Sequence, residues 1–140
     1  MTGFTFRRQM TIEWGHCDPA GIVFNPRFFE FFDRNTWMLF DTALGVKPQE
    51  LAATYGILGL PLVDARANFL KPAKFGDRIE IASRVSEFRR SSFDVEHIIT
   101  LDGARAVEGG ETRVWAGRSK DDPEKMSAVA IPPEVIAKFG

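Results

Sequence analysis

Asp18 is the residue of this sequence best placed to do chemistry. It lies in the segment HCDPAG (residues 16–21), between the lone cysteine and a proline, seven residues ahead of a helix start at Asn25-Pro26. An Asp before Pro is commonly a turn former whose side chain caps nearby backbone. The residues that follow are strongly apolar, however, and an ionised carboxylate in apolar surroundings needs a partner or a purpose. Asp18 is therefore a candidate nucleophile or general base.

The helix start beside Asp18 supplies the second half of such a site. A helix N-terminus presents unpaired backbone N–H groups and a partial positive charge. These groups can polarise the carbonyl oxygen of an ester or a thioester. Gly21 lets the backbone approach a ligand closely. The pattern predicts a reaction in which the helix end polarises the carbonyl while Asp18 attacks its carbon or activates a water.

The histidines and the cysteine are weaker candidates. His16, Cys17, Asp18 and His97 lack the spacing of a zinc site, so we expect no metal, and the sequence indicates no other cofactor. His97 falls on an apolar strand face, where a hydrogen-bonded core residue is commoner than a catalyst. The sequence contains no Gly-x-Ser-x-Gly elbow and no phosphate-binding glycine loop.

Arg89 and Arg90 form the one basic pair with a plausible ligand. They stand in EFRRSSF (residues 87–93), at the junction of two predicted strands. A solvated hairpin end with edge-protecting charge explains this pattern by itself. The functional alternative is a phosphate clamp, because guanidinium groups bind phosphate bidentately.

The overall composition limits the classes of protein to which this chain can belong. The 140 residues suit one domain, residues 1–140, with a real hydrophobic core. The net charge of −1 gives no field for nucleic acid or membranes. A single cysteine excludes an intramolecular disulfide, and the alternating N-terminal residues do not resemble a signal peptide. We therefore expect a cytoplasmic protein. Phe occurs 13 times against one Tyr, which indicates large apolar contacts in a core, a pocket or a subunit interface.

The elements that must position these residues can be predicted from periodicity. Residues from Phe4 to Trp14 alternate as a half-buried strand, and Asn25-Pro26 begins a helix, with Asn25 as N-cap, that Gly45 ends. Further strands are predicted in the following segments: LVDARANFL, RIEIASRVSEF, SSFDVEHII, GETRVWAGRS and, as a short last one, AVAI before a tail at PPEVIAKFG. Short connections between the later strands favour antiparallel meanders. One long helix with a sheet to cover it is an α+β layer.

The predicted helix is apolar on more than one side. Its expected core face centres on Thr36 and comprises Phe28, Phe29, Phe32, Leu39, Phe40 and Ala43. The opposite half carries charges but also Phe31, Trp37 and Met38, which is too apolar for a plain solvated surface. We therefore expect the helix to be buried on most sides, either by its own sheet alone or by its own sheet together with a partner subunit.

The motif WGHCDPAGIVFNPRFFEFFD closely resembles the first motif of the 4-hydroxybenzoyl-CoA thioesterase family. GLPLV, the FGD turn and EFRRSSF extend the likeness in order over most of the chain. The resemblance implies a hot-dog fold, in which an antiparallel sheet of five to six strands wraps a long central helix. It also implies homodimers, often paired into tetramers, with active sites at the subunit interface.

Carried over by position, the resemblance implies a role for each matched residue. Asp18 matches the catalytic carboxylate, and the backbone N–H of Asn25 matches the group that polarises the thioester carbonyl. Arg89 and Arg90 match residues that meet the nucleotide phosphates of coenzyme A, and Asp33 matches a helix carboxylate that faces the acyl ring.

The sequence departs from the family pattern at three positions. His16 replaces an Asp, and Ser91 replaces the Lys of an Arg-Arg-Lys run, which should weaken the phosphate clamp. Leu60 stands where a member specific for a hydroxylated ring has Thr, which removes a polar contact near the acyl group. The acyl group can therefore be 4-hydroxybenzoyl-like, benzoyl-like, or another aromatic or small acyl.

Three functions are compatible with these residues. The first is an acyl-CoA thioesterase of aromatic degradation that releases the free acid and CoA. The second is a hot-dog enoyl-CoA hydratase or dehydratase, in which His16 and Asp18 move a proton and water. The third is a non-catalytic acyl-CoA-binding module in which Asp18 is only a turn residue.

Overall fold

A computed structural model describes residues 3–140. Met1 and Thr2, which belong to the N-terminal segment that does not resemble a signal peptide, lie outside the described residues. The elements in chain order are β1 (Thr5–Thr11), α1 (Pro26–Leu44), α2 (Leu51–Tyr55), β2 (Ile57–Gly59), β3 (Leu62–Phe69), β4 (Arg78–Phe88), β5 (Ser92–Leu101), β6 (Ala104–Val114), β7 (Ala116–Arg118), β8 (Met126–Ala128) and α3 (Pro133–Ala137).

A five-stranded antiparallel sheet of order β1-β4-β5-β6-β3 packs against α1. The meander of β4, β5 and β6 confirms the predicted antiparallel connections. Trp115 separates β6 from β7, which belongs to a second sheet of order β2-β7-β8. The predicted α+β hot-dog architecture is confirmed, with a small extra sheet that the pattern did not indicate.

The helix α1 has the predicted bounds, with Asn25 at the N-cap position and Pro26 as the first helical residue. Gly45 follows its last residue with a φ of 69°, as a glycine that ends a helix should. Asn25 occupies the predicted N-cap position, but its side chain makes no capping hydrogen bond. Its backbone is already helical, with φ −48° and ψ −40°, whereas a capping side chain needs extended backbone to reach the next N–H groups.

The second face of α1 is largely covered by the chain itself. Phe31 is buried within its own chain, edge-on to His16 at 5.1 Å between ring centroids and to Phe28 at 5.8 Å. At Phe31, the chain itself therefore provides the burial expected on this second face. Trp37 and Met38 are half-buried, and Trp37 packs on the core. Phe29 and Ala43, expected in the core, are also only partly buried.

Three strand boundaries differ from those that the periodicity predicts. β1 ends at Thr11 instead of Trp14, because residues 14–16 form a 3₁₀ turn in which His16 Nδ1 accepts a hydrogen bond from the Glu13 N–H. β6 begins at Ala104, before the predicted GETRVWAGRS segment. β8 lies two residues ahead of the predicted AVAI strand. The tail PPEVIAKFG contains the short helix α3.

The core consists of two apolar clusters at opposite ends of α1. One contains Phe28 and Phe32 with Ile79 and Ile99, and the other contains Phe40 with other buried apolar side chains. Between them, buried polar side chains cross the core on α1, β4, β5 and β6: Asn35, Thr36, Ser83, His97, Glu111 and Arg113. We call these six residues the polar layer. No helix among the described residues is long and apolar enough to span a membrane.

Candidate active site

Asp18 lies in a tight antiparallel loop that positions its carboxylate. Its N–H donates to the Ile22 carbonyl at 2.9 Å, and its carbonyl accepts from the Gly21 N–H at 2.9 Å. Gly21 has a φ of 83°, which a glycine adopts without strain. Asp18 Oδ1 accepts from the Ala20 N–H at 2.8 Å. The turn-forming role of Asp18 thus occupies one carboxylate oxygen, and among the described residues Oδ2 has no hydrogen-bond partner.

Asn25 contributes a backbone donor at the beginning of α1. The next residue is Pro26, which has no N–H, while the N–H groups of Arg27 and Phe28 donate to Phe24 and Asn25 carbonyls. Within residues 3–140, the Asn25 N–H meets no acceptor. The helix end therefore keeps one free donor at the position that the sequence predicts for the carbonyl-polarising group.

An apolar cavity of about 180 Å³ adjoins this donor. It is lined by Asn25 and Phe28 from the start of α1, by Ile22 from the Asp18 loop, and by Phe69 and Leu70 at the end of β3, among other residues. An apolar cavity of about 150 Å³ holds a benzene molecule. The cavity is therefore large enough for one aromatic ring. Asp18 does not line the cavity, but its hydrogen-bond partner Ile22 does.

Arg89 and Arg90 lie at the β4–β5 hairpin and differ in their contacts. Arg89 donates to Glu87 at 2.7 Å and to both oxygens of Asp94 at 2.8 and 3.1 Å. The hydrogen bond to Asp94 raises the pKa of Arg89, and the same bond lowers the pKa of Asp94. In the part of the chain described, the Arg90 side chain has no ion pair or hydrogen bond, and Ser91 uses its carbonyl to accept from the Trp115 N–H. Arg90 is the more available of the two cations.

One protomer does not bring the arginine pair to Asp18. The Asp18 loop contacts the segment just before β4, where the Phe75 N–H donates to the Gly21 carbonyl. Arg89 follows directly after the last residue of β4. The eleven residues of that strand separate the two groups by roughly 30 Å along its length. Asp18 and the arginine pair of one protomer therefore lie at opposite ends of β4.

Asp33 and Leu60 meet through a residue that sequence reasoning missed. Arg113 of β6 donates to Asp33 Oδ1 at 2.7 Å and to the Leu60 carbonyl at 2.9 Å. It also pairs with Glu111 through two hydrogen bonds of 3.1 and 3.0 Å. Arg113, Glu111 and Leu60 are each only 2% exposed, whereas the Asp33 side chain is 56% exposed. The sequence signal that could have found Glu111 and Arg113 is strand alternation, because both lie on the inward side of β6 while Thr112 between them is less buried.

The electrostatics of this ion pair are set by its partners. Burial alone would raise the pKa of Glu111, but hydrogen bonds from His97 and Arg113 outweigh it and lower that pKa to about 2. Burial lowers the pKa of Arg113, and the contacts with Glu111 and Asp33 outweigh that effect and raise it. Both groups are therefore charged in the folded protein near neutral pH.

The rest of the polar layer forms a directed chain of hydrogen bonds. Arg8 donates to Asn35 at 2.8 Å, Asn35 donates to Ser83 at 2.5 Å, and Ser83 lies 2.6 Å from His97 Nδ1. On its other side, His97 Nε2 lies 3.2 Å from the Glu111 carboxylate. His97 also stacks on Phe32 at 4.6 Å between centroids. The prediction of His97 as a hydrogen-bonded core residue is confirmed.

Comparison with known proteins assigns the family. Residues 12–139 match the family profile described as the Thioesterase-like superfamily. The chain belongs to this superfamily. The 4-hydroxybenzoyl-CoA thioesterase of Pseudomonas sp. (strain CBS-3) is 31% identical to it over 134 residues, 91% of this chain and 92% of the relative. The predicted family and the predicted thioester hydrolase class are confirmed.

Solved structures of similar thioesterases superpose over nearly the whole chain. An Asp-to-Asn mutant of 4-hydroxybenzoyl CoA thioesterase complexed with 4-hydroxybenzoyl CoA gives a TM-score of 0.87 at 28% identity, covering 97% of this chain and 99% of that one. A gentisyl-coenzyme A thioesterase gives a TM-score of 0.78 at 30% identity, covering 96% and 98%. The fold of this thioesterase is therefore that of proteins whose names specify aromatic CoA thioesters.

Proposed function

We propose that this thioesterase hydrolyses aromatic acyl-CoA thioesters to the free acid and CoA. The observation that carries the proposal is the free Asn25 N–H at the start of α1, beside an apolar cavity of about 180 Å³ and the Asp18 loop. The N–H is suited to donate a hydrogen bond to the thioester carbonyl oxygen as negative charge develops on that oxygen. The cavity suits a ring and not a long acyl chain. The names of the similar thioesterases support an aromatic acyl group.

Asp18 is the group that we assign to the reacting carbon. In the covalent route, Asp18 Oδ2 attacks the carbonyl carbon, the C–S bond breaks, CoA leaves as the thiolate, and water then hydrolyses the acyl-aspartyl anhydride. In the alternative route, Asp18 takes a proton from a water molecule as that water attacks the same carbon. The complex of an Asp-to-Asn mutant of a similar thioesterase with 4-hydroxybenzoyl CoA supports a carboxylate in this role.

We further propose that the active protein is a homodimer formed through β3. In residues 3–140, β3 pairs only with β6, so its other edge is open. Leu62, Val63 and Phe69 are 48%, 61% and 47% exposed. An open apolar edge invites pairing with another strand. Two β3 strands related by a two-fold axis would cover these side chains and would close the cavity beside Phe69.

The coenzyme A phosphates are assigned to Arg90, with Arg89 as a second contact. Because β4 separates this hairpin from Asp18 of the same chain, the phosphates of a bound thioester would meet the arginines of another protomer. That arrangement supports an oligomer as the active form, either a dimer or a dimer of dimers.

A thiol-release assay on a panel of CoA thioesters tests the function. The panel contains benzoyl-CoA, 4-hydroxybenzoyl-CoA, acetyl-CoA, a long-chain acyl-CoA and an enoyl-CoA. We expect thiol release from the aromatic members at the highest kcat/KM. Hydration of the enoyl-CoA without thiol release would favour a hydratase, and binding without turnover would favour an acyl-CoA-binding module. A single turnover in ¹⁸O-labelled water identifies the covalent route if ¹⁸O appears in Asp18, because water that attacks the aspartyl carbonyl of the anhydride leaves its oxygen there. Direct attack of water on the thioester places ¹⁸O only in the free acid.

A further inference from the structure

His16 joins three parts of the protein around the loop that carries Asp18. Its Nδ1 accepts a hydrogen bond from the Glu13 N–H at 2.9 Å, which closes the 3₁₀ turn ahead of the loop. Its backbone carbonyl accepts from the Phe24 N–H at 2.9 Å, on the segment that follows the loop. Its ring lies edge-on to Phe31 of α1, with an interplanar angle of 87°. The residue therefore ties the turn, the returning segment and the helix together.

The same short hairpin sets the distance between Asp18 and the Asn25 N–H. Cys17 is extended, with φ −104° and ψ 155°, and forms an antiparallel bridge with Val23. The Asp18 N–H continues this pairing with a hydrogen bond of 2.9 Å to the opposite segment. The pairing begins at His16 and ends one residue before Asn25. A shift of His16 therefore moves the carboxylate relative to the carbonyl-polarising donor, the two groups that we assign to the reaction.

The Glu13 N–H determines which form of the His16 ring this arrangement needs. A ring nitrogen that accepts a hydrogen bond carries no proton, so the neutral imidazole holds its proton on Nε2. An imidazolium donates from both nitrogens and cannot accept from the Glu13 N–H. Protonation of the ring therefore breaks the bond that closes the turn. Histidine is the side chain whose charge ordinarily changes between about pH 5 and 8.

The titratable groups near the His16 ring carry both signs of charge. They are Glu13, Cys17 and Asp18 on its own segment, Arg27, Glu30 and Arg34 within one turn of Phe31 on α1, Arg8 of β1 at the Phe31 carbonyl, and Lys74 and Asp77 of the segment that pairs with Ile22. Arg27 pairs with Glu30, and Lys74 pairs with Asp77. No field of a single sign therefore sets the charge of the imidazole, and the backbone donor at Glu13 is the group that requires its neutral form.

We propose that His16 is a positioning residue for the hydrolysis: its neutral imidazole, by accepting the Glu13 N–H, holds the Asp18 carboxylate at a fixed distance from the Asn25 N–H, and protonation of the ring releases the loop. The inference rests on the proposed function and adds a control of that function by pH. His16 acts through the loop and not on the substrate, because it does not line the apolar cavity.

Two substitutions separate the acceptor from the ring. His16→Asn keeps an amide oxygen near the position of Nδ1 and takes up no proton in this pH range, whereas His16→Phe keeps a ring against Phe31 but has no acceptor. At pH 8 we expect His16→Asn to keep the wild-type kcat. We expect His16→Phe to lose about ten- to a hundredfold in kcat, because a displacement of about 1 Å can cost about a hundredfold. KM should change little in both variants, since the cavity and the arginines are untouched.

The pH profile provides a readout that a merely structural role would not move. The ratio of kcat/KM in the wild type to kcat/KM in His16→Asn should be close to one at pH 8 and should fall as the pH decreases through the range in which histidine titrates. Titration of Asp18 and of the substrate phosphates is common to both proteins and cancels in the ratio. Long-range ¹H–¹⁵N NMR at pH 8 should show the Nε2–H tautomer for the histidine signal that is missing from His16→Asn.

Glu50→Ala is the matched control. The 3₁₀ turn Pro48–Glu50 is closed in the same way, since Glu50 Oε1 accepts from the Lys47 N–H at 3.0 Å, but it lies outside the Asp18 loop. This variant should keep the wild-type kcat. His16→Phe combined with Asp18→Asn should be no slower than Asp18→Asn alone, because His16 acts through that carboxylate.

Several results would overturn the inference. A wild-type kcat in His16→Phe removes the positioning role, and an equal loss in His16→Asn assigns the effect to the ring instead of the acceptor. A loss of the same size in Glu50→Ala, or a further loss in the double variant, assigns it to general stability. If His16→Phe does not fold, the pH profile of His16→Asn decides, and a profile identical to that of the wild type removes the control by pH, as does an Nδ1–H tautomer. An active wild type with any of these results defeats only this inference. A wild type that releases no thiol from any CoA thioester defeats the proposed function, and this inference with it.

Discussion

The buried carboxylate of Glu111 provides the sharpest prediction for stability. Glu111→Gln keeps the shape of the side chain but removes its charge. The pKa of Glu111 is about 2 in the folded protein against an ordinary value of 4.5. At about 1.4 kcal/mol for each pH unit, this difference corresponds to about 3 kcal/mol of folding free energy.

The sign of the pH dependence follows from the lowered pKa. The unfolded chain binds a proton at Glu111 near pH 4.5, whereas the folded protein resists it until about pH 2. The stabilisation is therefore fully present above pH 4.5 and is lost as the pH falls towards 2. Glu111→Gln should lose about 3 kcal/mol at pH 7. It should also show a shallower fall in stability between these pH values than the wild type.

Urea unfolding at a fixed protomer concentration measures both quantities. The concentration is fixed because dimer formation adds to the apparent stability. Glu96→Gln is the control, since Glu96 pairs with Arg84 at a partly exposed site and should contribute at most about 1 kcal/mol. If Glu111→Gln loses less than Glu96→Gln at pH 7, or keeps the wild-type pH dependence, the reasoning about the polar layer is wrong.

Three further predictions concern the active site and the assembly. Asp18→Asn should fold normally and lose roughly two or more orders of magnitude in kcat, as expected for loss of a nucleophile or general base. The control Asp121→Asn, in an exposed loop, should keep the wild-type kcat. Near-normal turnover in Asp18→Asn would reduce Asp18 to a turn residue. Sedimentation should show at least a dimer at micromolar concentration, and Val63→Lys on β3 should weaken the association of the protomers. A stable wild-type monomer would contradict the proposed interface. Arg90→Ala should raise KM for a full acyl-CoA more than Arg89→Ala does, because Arg89 is already neutralised by carboxylates. Neither variant should change hydrolysis of a truncated thioester without the nucleotide, and an equal loss on both substrates would assign the pair to the fold.

The sequence by itself determined the features that depend on neighbouring residues. The bounds of α1 followed from Pro26 and Gly45, because proline favours a first turn and glycine adopts the left-handed conformation after a helix. The inward positions of β4 and β5 followed from strict alternation, and Ile79, Ile81, Phe93 and Ile99 are all buried. The resemblance at the Asp18 motif was also enough to predict the family.

The tertiary structure decided the features that depend on residues distant in sequence. Alternation placed Glu111 and Arg113 on the inward side of β6, but it could not show that α1 brings Asp33 and Thr36 to meet them. The same limit explains Arg89, since a pattern of two adjacent arginines does not show that Asp94 on the next strand already binds one of them.

The exposure of β3 is the clearest case of a feature that the sequence pattern could not show. Its alternation of Val63, Ala65, Ala67 and Phe69 predicted a half-buried strand, yet Val63 is 61% exposed and Phe69 is 47% exposed. Periodicity reports which residues share a face, but it does not report what covers that face. The sheet order puts β3 at the edge, so only the position of the strand in the sheet determines that much of its apolar face stays exposed in the protomer.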